Sequence, residues 1–152
     1  MSDAGTPSSL QEMQQLLDRS PFVAFLGLKM VAANPQRDEI TMLTAMRPEF
    51  ERSPNSNQWH GGPIAAIIDT VGDYALVMSL RRAVPTINFR IDYLRPAVNT
   101  SLQATARVRR SGRTVGVVDV DVIDEQQRLV AIGRATYSTA PVRERHAPGS
   151  QE

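Results

Sequence analysis

From Gly61 or Gly62 to about Leu80 the chain is apolar almost all the way round a helical turn. Ile64, Ile67, Ile68, Val71, Leu76, Val77 and Met78 leave no broad face for water, so this helix has to be enclosed by other structure. Pro63 falls in its first turn, where a missing N–H costs nothing. One narrow stripe breaks the apolar surface: Gly62, Ala65, Asp69, Gly72 and Asp73 line up small and acidic residues along one face. Packing alone does not call for Asp69 there, because an ionised carboxylate is costly to bury without a partner. Asp73, one turn later, reads as a solvated edge.

The remaining sequence supplies a sheet. Leu28 to Ala33 and Asp38 to Met46 predict two strands around a turn at Pro35, the second with Ile40, Met42, Thr44 and Met46 on one face. After the helix come Thr86 to Leu94, Ser101 to Arg109 and Thr114 to Ile123, alternating with period two, and Leu129 to Tyr137 finishes the set. Short links at Ser111-Gly112 and Asp124 to Gln127 predict that these four strands form an antiparallel meander. An α+β fold follows, an antiparallel sheet of about six strands wrapped around one long central helix. Ahead of it, Ser8 or Ser9 caps a short helix to about Arg19, and Phe22, Phe25 and Leu26 form an apolar anchor. Arg47 to Trp59, rich in Pro, Ser and Asn, reads as a loop. A length of 152 residues fits one domain, with an N-terminal segment over 1–21, the domain over 22–140 and a flexible tail over 141–152.

Composition narrows the chemistry. A net charge of +1 gives no overall field toward nucleic acid or an anionic membrane. The absence of cysteine excludes disulfides, thiolate metal sites and a Cys nucleophile. No apolar run approaches the roughly 20 residues of a membrane span, and the N-terminus carries no basic or apolar leader, so a cytoplasmic protein is expected. His60 and His146 are the two histidines, which argues against a metal site. No G-x-S-x-G elbow is present for Ser/His/Asp catalysis.

What remains is His60-Gly61-Gly62-Pro63 followed by Asp69. The first turn of a helix leaves N–H groups unpaired and carries partial positive charge. Glycines there let a carbonyl oxygen approach, so the donors stabilise the anion formed when an ester or thioester is attacked. Asp69 is placed to act as general base on water or as nucleophile. A helix rises 1.5 Å per residue, so Gly61 and Asp69 lie about 12 Å apart along it. One carbonyl cannot readily touch both within a subunit. If both serve one reaction, Asp69 of one subunit faces Gly61 of another, and the small-residue stripe permits that approach. The bland alternatives are a turn glycine pair, an Asp69 bonded to a loop amide and a packed, hydrogen-bonded His60. Trp59, Phe50, Tyr74 and the methionines fit either an acyl pocket or the core.

On these residues the chain resembles the hotdog-fold acyl-CoA thioesterases of the PaaI-like branch, over roughly Phe22 to Ser138. HGGPIAAIID carries the resemblance, with Tyr93-Leu94-Arg95-Pro96-Ala97, the Ser111-Gly112-Arg113-Thr114 hairpin and Tyr137-Ser138. The resemblance implies hydrolysis of an acyl-CoA to a carboxylic acid and free CoA, with no cofactor beyond the CoA of the substrate. It implies Asp69 as catalytic acid residue, the Gly61 N–H polarising the carbonyl, His60 shaping the loop and Thr86 orienting water or substrate. It also implies a homodimer or homotetramer with Asp and Gly from different subunits. Pro54 stands where the family often has Asn; Asn55 takes that role if the loop is one residue shorter, with Asn57 and Gln58 as other choices. Gly62, Arg95, Arg110 and Arg113 are the candidate contacts to CoA. The rivals are a non-catalytic acyl-ligand binder and, last, a hydroxyacyl dehydratase, whose usual helix histidine is missing here.

Overall fold

The computed structural model describes residues 9–141. Residues 1–8 of the expected N-terminal segment and nearly all of the tail expected over 141–152 lie outside them. Two short helices, α1 (Leu10–Asp18) and α2 (Pro21–Leu26), precede strands β1 (Lys29–Asn34) and β2 (Glu39–Thr44). A 3-10 turn at Pro48–Phe50 leads to the long helix α3 (Gly61–Leu80). Strands β3 (Thr86–Tyr93), β4 (Leu102–Ser111), β5 (Val115–Asp124) and β6 (Leu129–Ser138) complete the chain.

The apolar anchor at residues 22–26 is a helix, started by Ser20 and Pro21 and stopped by Gly27 in the left-handed region at φ 67°. The expected boundary between residues 21 and 22 falls inside it. Met13 and Leu17 of α1 and Val23 and Leu26 of α2 enter the same core as α3.

All six strands form one antiparallel sheet in the order β1-β2-β4-β5-β6-β3. The meander is therefore real for β4, β5 and β6 but not for β3, which crosses to pair with β6 and forms the far edge. The cause is the link from Leu94 to Ser101, which is no tight turn. It is tied to the loop before α3 by hydrogen bonds from the Trp59 N–H to the Ala97 carbonyl (2.9 Å) and from the Asn99 N–H to the Asn57 carbonyl (2.9 Å).

Period-two alternation buries Leu102, Ala104 and Ala106 of β4, Val118, Val120 and Val122 of β5, and Ala131, Ala135 and Tyr137 of β6. Small residues let α3 settle close to the sheet: a side chain on Gly133 would collide with Ile68, and a Cβ on Gly116 would come within 2.8 Å of Leu76. By length and composition α3 is long and apolar enough to cross a membrane, contrary to the expectation that no apolar run reaches that size; here it is packed against the sheet. The outward face is polar. Arg107 bridges Glu39 and Asp121, and Arg134 holds Asp119 through two hydrogen bonds of 2.6 and 2.8 Å.

Candidate active site

The start of α3 is held from three directions. The His60 N–H donates to the Phe50 carbonyl at 2.8 Å, and the Phe50 ring stacks on Trp59 with centroids 5.4 Å apart. The indole N–H of Trp59 donates to the Thr100 carbonyl at 2.9 Å. Arg47 lies over the rings of both Phe25 and Phe50, tying α2 to the same cluster.

His60 is the N-cap, and its Nδ1 accepts the Gly62 N–H at 2.9 Å. An accepting Nδ1 leaves the ring proton on Nε2. Gly62 was expected to contact CoA, but its amide is already used by this cap. The Gly61 N–H has no hydrogen-bond partner among the described residues. Tyr93 lies across the same turn, its hydroxyl donating to the Gly61 carbonyl at 2.7 Å. A Cβ at residue 61 would sit 3.3 Å from that ring. Gly61, Trp59, Ile64, Tyr93, Arg95 and Arg52 are among the residues lining a cavity of about 370 Å³.

Asp69 opens into a different cavity, of about 250 Å³, with Asp73, Thr86, Tyr74, Ser20 and Val23. The Thr86 hydroxyl donates to Asp69 Oδ1 at 2.7 Å. From β6 the Tyr137 hydroxyl donates to the Asp69 backbone carbonyl at 2.7 Å. A Cβ on Gly72 would overlap that hydroxyl, so the glycine makes room for Tyr137. Burial, reinforced by the Asp69 and Asp73 charges, pushes the Tyr137 phenol well above its usual range, so it keeps its proton. Asp73 is no solvated edge: burial first, then the Asp69 charge, push its carboxyl up to about 7.

Of the expected site residues, the structure brings Asp69 and Thr86 together at one end of β3 and groups His60, Gly61 and Arg95 at the other. Arg110 and Arg113 belong to the Asp69 end, because the β4–β5 hairpin tip lies in register with the Tyr137 end of β6, where Thr86 pairs. Neither lines the two cavities. Asn55 lines neither as well. It sits in the left-handed region at φ 60°, as Asn57 does at φ 47°, which accounts for asparagine at both positions, and Glu51 accepts the backbone N–H groups of Asn55 (2.8 Å) and Asn57 (3.0 Å). Trp59 and Tyr74 line cavities, whereas Phe50 is core. Sequence reasoning gave no role to Tyr93, Tyr137 or Asp73. The signals were the Tyr-x-x-Pro-Ala pattern, the Tyr137-Ser138 strand end and the one-turn spacing of the two aspartates.

Comparison with known proteins places this geometry. The Thioesterase superfamily model matches residues 57–131, which include α3 and β3. A Halobacterium salinarum protein with a provisional esterase name is 31% identical over 139 residues, covering 82% of this chain and 88% of its own. Acyl-coenzyme A thioesterase PaaI of Escherichia coli is 38% identical over 76 residues, 49% of this chain and 54% of that protein. The solved structure of E. coli PaaI, from the phenylacetic acid degradation operon, superposes with a TM-score of 0.72 at 25% identity, covering 86% of this chain and 95% of that one. A solved thioesterase-superfamily protein superposes with a TM-score of 0.78 at 33% identity, covering 85% of this chain and 96% of that one. With its six-stranded antiparallel sheet around α3, the chain belongs to the thioesterase superfamily on the hotdog fold, in the PaaI-like branch.

Proposed function

We propose that this protein hydrolyses an acyl-CoA thioester to a carboxylic acid and free CoA at a site shared between two subunits. The observation that carries the reading is the separation of an unpaired Gly61 N–H and a Thr86-bonded Asp69 into two cavities of one protomer. Each cavity holds half of what acyl transfer needs, an oxyanion donor in one and a base or nucleophile in the other.

Strand β3 supplies a way to join them. It is a sheet edge, and Ile87, Phe89 and Tyr93 on it are 54%, 42% and 52% exposed. An uncovered apolar edge invites pairing with a copy of itself. Antiparallel pairing about a twofold near Phe89 and Arg90 sets the Thr86 end of one β3 beside the Tyr93 end of the other. Gly61 of one subunit then faces Asp69 of its partner, and both sites of the dimer are complete. In each, the Gly61 N–H receives the developing oxyanion. Asp69, oriented by Thr86, takes a proton from water or attacks the carbonyl itself; CoA leaves as the thiol. Arg95 from one subunit and Arg110 and Arg113 from the other are offered to the CoA phosphates.

Thiol release across short, medium, long and aromatic acyl-CoAs tests the activity, with Asp69→Asn as control. Turnover in that variant is expected to fall at least about 100-fold with the fold intact; a variant as fast as the parent overturns the mechanism. Subunit mixing tests the shared site. Asp69→Asn and Gly61→Pro, which removes the N–H at the first helical residue, where the φ of proline fits, are each expected to be inactive. A random mixture regains roughly a quarter of the sites, one in each heterodimer. A mixture without activity places Gly61 and Asp69 in the same subunit's site or in none.

One observation favours a second reading, a non-catalytic acyl-ligand binder: Asn55, whose backbone N–H is held by Glu51, lines neither cavity. That protein would bind acyl-CoA and release no thiol from any member of the panel.

A further inference from the structure

The Asp69 cavity contains a second carboxyl that the reaction above does not use. Asp73 follows Asp69 by one helical turn on the same face, a rise of about 6 Å. Both line the cavity together with Thr86. Asp69 has the Thr86 hydroxyl, whereas the Asp73 carboxyl makes no hydrogen bond among the described residues. Nothing cationic lines the cavity with it. Ser20 and Val23 come from α2, Ala83, Val84 and Pro85 from the link to β3, and Thr70 and Tyr74 from α3 itself. Tyr137 from β6 and Tyr74 are the other titratable groups that act on this pair or feel it, and both phenols are held protonated, by burial first and by the carboxylates second. In the paired dimer the facing Gly61 cavity brings Arg52, Arg95 and Tyr93.

We propose that Asp73 is a positioning residue that, once ionised, drives negative charge off Asp69 and onto the substrate carbonyl oxygen. This rests on the thioesterase reading. In either role of Asp69, its negative charge leaves it in the first step. As base, an Asp69 oxygen takes a proton from water, the water oxygen bonds to the carbonyl carbon, and the carbonyl electron pair moves to oxygen. As nucleophile, an Asp69 oxygen forms that bond and the same pair moves. The charge ends at the Gly61 N–H of the partner, on the far side of the reacting carbon from Asp73. A carboxylate one turn away repels the charge more strongly at its start than at its end, so its ionisation lowers the barrier. Burial and the Asp69 charge put that ionisation within the working range, at about 7.

The test is the pH dependence of kcat/KM between pH 5 and 9 on the best acyl-CoA of the panel. The native dimer, Asp73→Asn and Asp73→Glu are compared. The parent is expected to show a rising limb, absent from Asp73→Asn and restored by Asp73→Glu. At pH 8 Asp73→Asn is expected to be slower by about three- to tenfold, and by less than about twofold below the limb, as Brønsted behaviour of the base implies. A parent without a limb in this range overturns the proposal whether or not the variants fold, and so does a profile of Asp73→Asn that superimposes on the parent. Asp69→Asn is run alongside. If it is inactive while Asp73→Asn keeps the parent profile, only the role of Asp73 fails; if it stays as fast as the parent, the hydrolytic mechanism fails and takes this proposal with it.

Discussion

Thr86 donates its hydroxyl hydrogen to Oδ1 of Asp69 at 2.7 Å, from the first residue of the edge strand to the third turn of the buried helix. The bond leaves Oδ2 and the second lone pair of Oδ1 for water or substrate and fixes the carboxylate plane. Thr86→Val keeps the shape and removes the donor. A hydrogen bond to a charged group contributes about 1.5–3 kcal/mol, so kcat is expected to drop roughly 10- to 100-fold. Thr86→Ser should retain most of the parent rate. Steady-state thiol release on both variants checks this, and a Thr86→Val variant as fast as the parent would show that the hydroxyl does not matter.

Gly72 and Tyr137 form a matched pair, since any side chain at residue 72 overlaps the phenol oxygen. Gly72→Ala is expected to destabilise the protein by about 1–3 kcal/mol, the usual cost of overpacking. Adding Tyr137→Phe removes the overlapping oxygen and should return part of that loss, so the two changes are non-additive by roughly 1 kcal/mol. Denaturant unfolding at fixed protein concentration measures all corners of the cycle.

Asp73 makes stability depend on pH with a sign opposite to that of a salt-bridged carboxylate. Its proton is held more tightly in the folded chain, at about 7, than at its ordinary value of 3.8. The folded state therefore binds more protons between those values, and the Asp73 contribution is full below about 4 and lost as pH rises to about 7. Asp73→Asn should gain on the parent as pH goes from 5 to 8, reaching about 1–3 kcal/mol of added stability. Urea unfolding at both pH values reads this out; a constant difference between the two proteins contradicts it.

Arg95 lines the Gly61 cavity and spends one N–H on the Leu129 carbonyl at 3.3 Å, with no carboxylate partner among the described residues. Arg95→Ala is expected to raise KM for an acyl-CoA about 5- to 20-fold, in line with the loss of one charge-assisted contact. The matching acyl-pantetheine thioester, which lacks the nucleotide phosphates, should show little change. An equal rise for both substrates would assign Arg95 to the acyl group or to the Leu129 turn.

Much of this molecule was legible along the chain. An apolar surface all round residues 61–80 demanded enclosure, period-two alternation marked most of the strands, and His60-Gly61-Gly62 announced a helix start. The 1.5 Å rise per residue already separated Gly61 from Asp69. Each of these is a local property, carried by spacing and backbone geometry within one element. The order of the sheet was not local. It depended on the link from Leu94 to Ser101 binding the loop before α3, which sends β3 to the far side of β6.

The same division runs through the site. Sequence alone offered Asp69 and Gly61 as candidates and gave the helix that spaces them. Only the tertiary structure decided that Gly72 makes room for Tyr137, that His60 consumes the Gly62 amide and that Asp73 is enclosed with Asp69. Those outcomes depend on which distant side chains arrive at a given point, and burial and unshared hydrogen-bonding groups exist only once they have arrived. Residue spacing along a helix is set by the backbone; the surroundings of a carboxylate are set by everything that packs against it.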